Sequence, residues 1–359
     1  MKKFFLGVFA IAGLVACVQS EEVNVPNPAD NQIALRGYVG SSVRGAEDPS
    51  TKVQNLNHFT VWAYVGDSAG EVFNSELVEK QGSEWTYDKP RYWMEGYDYR
   101  FFAITPYGNG VGHVEVVNNP MTEAHNPFAN GLGQINFTNI EGAEDVLYAS
   151  CTKPAAAAIP EKVTFNFNHI LSKVKFTFLN GFTTNNVTVA VSNVKMVAPK
   201  AAQINLAQNW WSTHVWKNYS GTTILDFGHM NGGNPVGNKD GKKTSDNERL
   251  TIPTEANQVY NVTFDVELFM GAQSVYTVSK TSKVTGVELE MGKAYNFTAE
   301  INPENLELDV ITFDVIEVED WENAGDVPAH VGTTAYVATA AEFAAAVNDP
   351  EVAAVVLSN

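Results

Sequence analysis

Two cysteines, Cys17 and Cys151, are too few in 359 residues for a disulfide framework, and neither a CxxC pair nor a Cys/His cluster at zinc-ligand spacing occurs. Basic residues are also scarce. Only 23 lysines and arginines face 41 acidic residues, a net charge of −18, so the long-range field repels phosphate backbones and argues against nucleic acid as a partner. Beyond the N-terminus, every apolar stretch is interrupted well short of the roughly 20 residues that span a bilayer. No GxSxG elbow, HExxH motif or Walker A loop is present. The seven histidines (His58, His113, His125, His169, His214, His229 and His330) show no ligand spacing. The chain therefore offers no catalytic base, no metal site and no cofactor site, and reads as a protein without enzymatic activity. His169, in "NHILSKV" between two strand-like runs, reads as a hydrogen-bonded structural histidine.

What is present begins with Lys2 and Lys3, an apolar stretch from Phe4 to Leu14 broken only by two glycines, and the small Ala16. This is the pattern of a signal peptide over residues 1–16. "LVAC", Leu14 to Cys17, resembles the lipobox of bacterial lipoproteins, which implies cleavage between Ala16 and Cys17, acylation (palmitate) on the thiol, and anchoring in the outer membrane. Two or more acyl chains hold a protein stably, whereas one holds only marginally. Residues 17–32 are rich in Pro, Asn and acid, with too little apolar surface to fold, and read as a lipidated tether. The "SEE" within them is similar to the surface-export signal of Bacteroidales-type lipoproteins.

From Ile33 the pattern is that of β structure, with short alternating runs between Gly, Asn, Asp and Pro clusters. "HFTVWAYV" places Phe59, Val61, Ala63 and Val65 on one face. "YDYRFFAITP" does the same with Tyr97, Tyr99, Phe101 and Ala103, and the apolar Phe102 and Ile104 add burial on the other face. The linker-like "TKPAAAAIP" predicts a boundary between an N-terminal domain, residues 33–153, and a C-terminal domain, residues 154–323. In the second, Val163, Phe165 and Phe167 share one face, as do Val174, Phe176 and Phe178. Spacing this short leaves no room for crossover helices and predicts antiparallel sandwiches.

Residues 324–359 change character. Thr339 as N-cap with Glu342 three residues later predicts a short Ala-rich helix to Val347, followed by the strand-like "VAAVVLSN". The segment resembles the start of a right-handed parallel β-helix, truncated before its first full coil. Stable solenoids need several coils.

Other features carry little chemistry. "GNGVG", residues 108–112, leads into a strand and reads as a turn, not a phosphate loop. His229 to Glu248 lacks calcium-loop spacing and reads as a mobile solvated loop. Trp210, Trp211 and Trp216 are candidate aromatic contacts for a glycan or a partner, against the simpler reading that they pack beneath that loop. Cys151 reads as a buried free thiol.

Taken in order, the stretch from "VWAYVGDSAGEVFNSELVEKQ" to "YDYRFFAITP", then "FNHILSKVKFTF", "EMGKAYNFT" and the closing "FDVIEVEDW", resembles the fimbrillin family of Bacteroidales-type lipoproteins, Mfa-like branch, over residues 33 to 321. The resemblance implies a mostly β fold of two transthyretin-like antiparallel β-sandwich domains in tandem, here with a short C-terminal helix and strand. It implies a pilus (fimbrium) subunit on the cell surface, with other fimbrillin subunits as partners. In polymerising members a trypsin-like protease cuts after an arginine and removes the first strand, and a strand of another subunit fills the groove; the physics is β-strand addition.

Under this resemblance the displaced strand is "QIALRGYV", with Ile33, Leu35 and Val39 on one face. Arg36 lies within it, whereas Arg44 follows in a loop-like context and is the preferred processing site. "DSA" is similar to an O-glycosylation triplet and makes Ser68 a candidate. The tail after Trp321 departs from a free donor strand, which favours a tip or adhesin component that contacts a host or bacterial surface glycan or protein. The alternative is a non-polymerising, glycan-binding surface lipoprotein.

Overall fold

The computed structural model describes residues 31–39, 56–66, 70–107, 113–116, 133–154, 162–184, 186–206, 216–237, 242–307, 311–320, 333–337 and 352–357. The first strands are β1 (Leu35–Val39), β2 (His58–Val65), β3 (Gly70–Gln81), β4 (Glu84–Thr86), β5 (Tyr99–Thr105), β6 (Val114–Val116), β7 (Gly133–Thr138), β8 (Leu147–Lys153) and β9 (Val163–His169). They are followed by β10 (Ser172–Asn180), β11 (Val187–Leu206), β12 (Lys217–Gly228), β13 (Val236–Gly237), β14 (Lys242–Thr244), β15 (Arg249–Thr251), β16 (Tyr260–Met270), β17 (Gln273–Val284) and β18 (Lys293–Ile301). A short helix α1 (Pro303–Glu307), then β19 (Asp314–Asp320), β20 (Thr333–Val337) and β21 (Val352–Leu357) complete the order. The protein is mostly β. Among the described residues, no helix is long and apolar enough to cross a membrane.

The first sheet has the order β1-β9-β8-β5-β2-β3-β4. Its alternation is the one the sequence predicts: Val163, Phe165 and Phe167 point into the core, with Thr164, Asn166 and Asn168 between them less buried. β2 and β5 are buried on both faces. Phe59, Val61, Ala63, Phe101 and Ala103 join one cluster, whereas Trp62, Tyr64, Phe102 and Ile104 join another. Tyr97 does not follow expectation: it precedes β5 and is exposed.

A second sheet runs β14-β10-β18-β19 with β15 also on β10, and a third runs β17-β16-β11-β7-β6 with β12 and β13 also on β11. Their apolar faces share a core in which Phe176, Phe178 and Phe297 meet Val191, Phe227 and Phe264. β11 is longer than its alternation predicts, because a bulge after Ser192 breaks the pattern without ending the strand. Asn193 takes the positive φ of 53° there, a conformation that asparagine tolerates better than most residues.

Two findings correct the expectation of wholly antiparallel sheets. β1 is parallel to β9, and β10 is parallel to β18. Short spacing rules out crossovers only between consecutive strands; these pairs are distant in sequence, and the strands between them serve as the connection. The boundary expected after residue 153 falls between β8 and β9, which are neighbours in one sheet. Likewise β7, from the first half, hydrogen-bonds onto β11 and carries β6 on its other edge. The cluster holding Trp62, Phe102, Ile135, Ile204, Trp216 and Ile252 lies where these parts meet. β20 and β21 form a separate parallel pair.

Candidate functional site

β1 is a strand because Ile33, Leu35 and Gly37 alternate inward while Ala34, Arg36 and Tyr38 are more exposed. Ile33 and Leu35 are 0% and 3% exposed, within a cluster that includes Phe59, Phe165, Phe167 and Trp93. Burying two such side chains contributes about 3–6 kcal/mol together. Among the described residues the ladder of β1 runs to β9 alone, with Leu35 opposite Val163 and Gly37 opposite Phe165.

Just before β1 the chain is held on a different side. The Ile33 N–H donates to the Arg91 carbonyl at 2.8 Å, and the Trp93 N–H donates to the Asn31 carbonyl at 3.0 Å. The Tyr87 hydroxyl donates to the Ile33 carbonyl at 2.6 Å. Arg91 is itself fixed: its Nε donates to Val72 O at 2.8 Å, and its guanidinium approaches Glu76 at 3.8 Å. The result is a lined groove that fixes both the backbone and the inward side chains of one extended segment.

Gly37 and Tyr87 are the residues that sequence reasoning missed. A glycine at an inward position of an alternating strand signals a close approach. A Cβ built on Gly37 would lie 3.0 Å from Leu56 Cδ2, 3.1 Å from Phe59 Cε1 and 3.2 Å from Phe167 Cε2.

The other predicted residues divide sharply. Ala16, Cys17, Arg44, Ser68, Trp210 and Trp211 lie outside the described residues, as do the "GNGVG" turn and the expected helix from Thr339 to Val347; of Val39 only the backbone is described. Arg36 is exposed, its guanidinium 4.5 Å from the Tyr38 ring centroid. Trp216 is withdrawn as an aromatic contact: it is 3% exposed, its ring centroid lies 6.1 Å from that of Phe137, and its Nε1 donates to Ile170 O at 3.1 Å. The indole fills the space between β7 and the β9–β10 junction, which removes it from solvent.

His169 is nearly buried, with Nδ1 2.6 Å from Asp145 Oδ2, as a structural histidine should be. His113, just before β6, approaches Glu144 with Nε2 at 2.6 Å. The two neighbouring acids thus tie β6 and the end of β9 to the segment before β8. Cys151 is a free, partly buried thiol whose pKa burial pushes up. The loop from His229 to Glu248 is more ordered than expected where it is described, since Asp246 accepts the Gly232 N–H at 2.7 Å. Among the described residues, no group of three or more His, Cys, Asp or Glu could hold a metal ion.

Comparison with known proteins fits this architecture. The fold is similar to the crystal structure of a fimbrial protein from Bacteroides vulgatus, with a TM-score of 0.54 and 14% identity over 81% of this chain and 99% of that one. Similar at TM-scores of 0.44 and 0.42 are inferred cell adhesion proteins from Bacteroides ovatus and Bacteroides uniformis. These share 18% and 15% identity, over 81% and 82% of this chain and 97% and 100% of theirs. No curated protein matches. Residues 46–321 match the model of the fimbrillin-like proteins, and the chain belongs to that family.

Proposed function

We propose that the chain is a cell-surface fimbrial subunit, anchored at Cys17 in the outer membrane as a precursor, whose first strand gives way to an extended segment of another subunit. The carrying observation is the way β1 is held: two fully inward apolar side chains, a ladder to one strand, and a separable attachment at Arg91 and Tyr87. Such a strand leaves by breaking its ladder to β9 and the short pairing of residues 31–33 with Arg91–Trp93, and the groove it vacates fits strand addition. Cleavage after Arg44 separates β1 from β2. Arg36 is the poorer cleavage site, because its backbone is in register with Thr164.

A place at the fimbrial tip accounts for the tail. β20 and β21 run parallel and are joined through residues 338–351, the arrangement of a crossover unit rather than of a free donor strand. On this reading the tail begins a β-helix-like module that makes the adhesive contact.

N-terminal sequencing of protein shed from cells tests the processing step. The expected start is Gly45 for the native chain, with retention of the lipidated Cys17 start in Arg44→Ala. An Arg44→Ala protein that still begins at Gly45 would rule out cleavage by an arginine-specific protease there. Immunogold labelling confined to fimbrial ends supports the tip position, and labelling along the shafts refutes it.

A further inference from the structure

We infer that the first-strand groove selects a segment with two large apolar residues spaced two apart, followed two residues later by glycine. This rests on the strand-replacement reading above and adds to it a rule for the partner's sequence.

The rule comes from three subsites of unequal depth. The positions of Ile33 and Leu35 take branched apolar side chains in full burial. The third position, Gly37, is tight: a Cβ there would lie 3.0–3.2 Å from Leu56, Phe59 and Phe167, so these side chains must give by a few tenths of an ångström to admit even a methyl group. These walls have little room to yield. The Phe59 ring centroid already lies 5.0 Å from that of Trp85 and 5.3 Å from those of Phe165 and Phe167. Gly37 is not one of the residues with positive φ, so a close approach rather than backbone freedom selects glycine. The register is fixed by contacts to the backbone: Arg91 O and the Tyr87 hydroxyl hold the residue at position 33, and the Val163 N–H donates to the carbonyl at position 34 at 2.8 Å. A one-residue slip would turn the donor's apolar side chains outward, and a two-residue slip would bring the residue equivalent to Leu35 or Val39 to the tight subsite.

The partner is therefore a polypeptide with an apolar-x-apolar-x-Gly segment, and residues 322–359 hold no such segment. Their glycines are Gly325 and Gly332, and the residues two before them are Asn323 and His330. The occupant is a segment of another subunit that carries this pattern.

The test uses the full chain with a specific protease site inserted between residues 44 and 45, nicked so that the first strand stays seated without a covalent link. Labelled peptides of residues 31–39 are added, in the native sequence and as Arg36→Ala, Gly37→Ala and Gly37→Val, and label retained on the protein is measured after gel filtration. The native and Arg36→Ala peptides should exchange in equally, Gly37→Ala about tenfold less or worse, and Gly37→Val not detectably, because overpacking a filled core is strongly unfavourable. Exchange of Gly37→Val as efficient as the native peptide would overturn the glycine rule and leave strand replacement standing. Failure of the native peptide itself to exchange would overturn the strand-replacement reading instead.

Discussion

The Tyr87 hydroxyl donates a hydrogen bond of 2.6 Å to the carbonyl of Ile33, so a side chain between β4 and β5 holds the residue that precedes β1. The same ring packs edge-on to Phe73, with centroids 5.0 Å apart. Tyr87→Phe keeps that packing and removes the donor. The expected cost is about 1 kcal/mol, the usual net value of one hydrogen bond. It should be seen as a lower urea midpoint at unchanged slope, and as faster peptide exchange into the nicked chain. An unchanged exchange rate would show that Tyr87 does not retain the strand.

Neighbouring residues of β1 should behave oppositely. Leu35 is buried among aromatic rings, and Leu35→Ala should cost about 2–5 kcal/mol through lost transfer energy and the cavity left behind. Arg36 is exposed, and Arg36→Ala should change stability by no more than about 0.5 kcal/mol. Limited trypsin digestion adds a second readout. The bond after Arg36 should resist cleavage in the native chain and become labile in Leu35→Ala, since the ladder to β9 loses its anchor. Rapid native cleavage after Arg36 would contradict the paired state of β1.

The inward face of β9, the two-sided burial of β5, and the inward Ile33 and Leu35 were legible in the sequence, because alternation is a local signal, whereas the second buried face of β2, Trp62 and Tyr64, was not read from it. The partner of β1 was not. Nothing near Leu35 encodes that Val163 will lie beside it, because that pairing depends on where the intervening strands place β9. Trp216 illustrates a different limit. A tryptophan near two others has the same composition whether it stacks on a sugar or plugs a core, and only the Ile170 carbonyl and the Phe137 ring decide. Gly37 was legible in principle, through its inward place in the alternation, but only the rings of Phe59 and Phe167 give it meaning.

Acid should act on the bulge of β11. Asn193 Nδ2 and Ser279 Oγ donate to the Asp265 carboxylate at 2.7 and 2.5 Å, and these bonds hold its pKa below the ordinary value, with Lys195 adding to the effect. A depressed folded pKa stabilises the fold fully above the unfolded value of about 3.9, and that contribution is lost as pH falls through the folded value. Asp265→Asn should therefore be less stable than the native chain near neutral pH, by no more than about 1 kcal/mol at a site that solvent still reaches, and equal to it in strong acid. Urea midpoints at the two pH values check this; a difference that persists in acid would assign the effect to packing rather than charge.

Substitutions at Trp216 separate a packing role from a binding role. Trp216→Ala should cost about 3–5 kcal/mol, because it empties a large volume in the cluster that joins β7, the end of β11 and the β9–β10 junction. Trp216→Phe keeps most of the apolar volume and leaves the Ile170 carbonyl without its indole donor, which should cost about 1–3 kcal/mol. Both losses belong to folding and should appear in the urea midpoint with no carbohydrate present. If Trp216→Phe instead leaves the midpoint unchanged and abolishes retention on a glycan array, the indole acts at a surface. A graded loss of stability, Ala greater than Phe, places its contribution in the core.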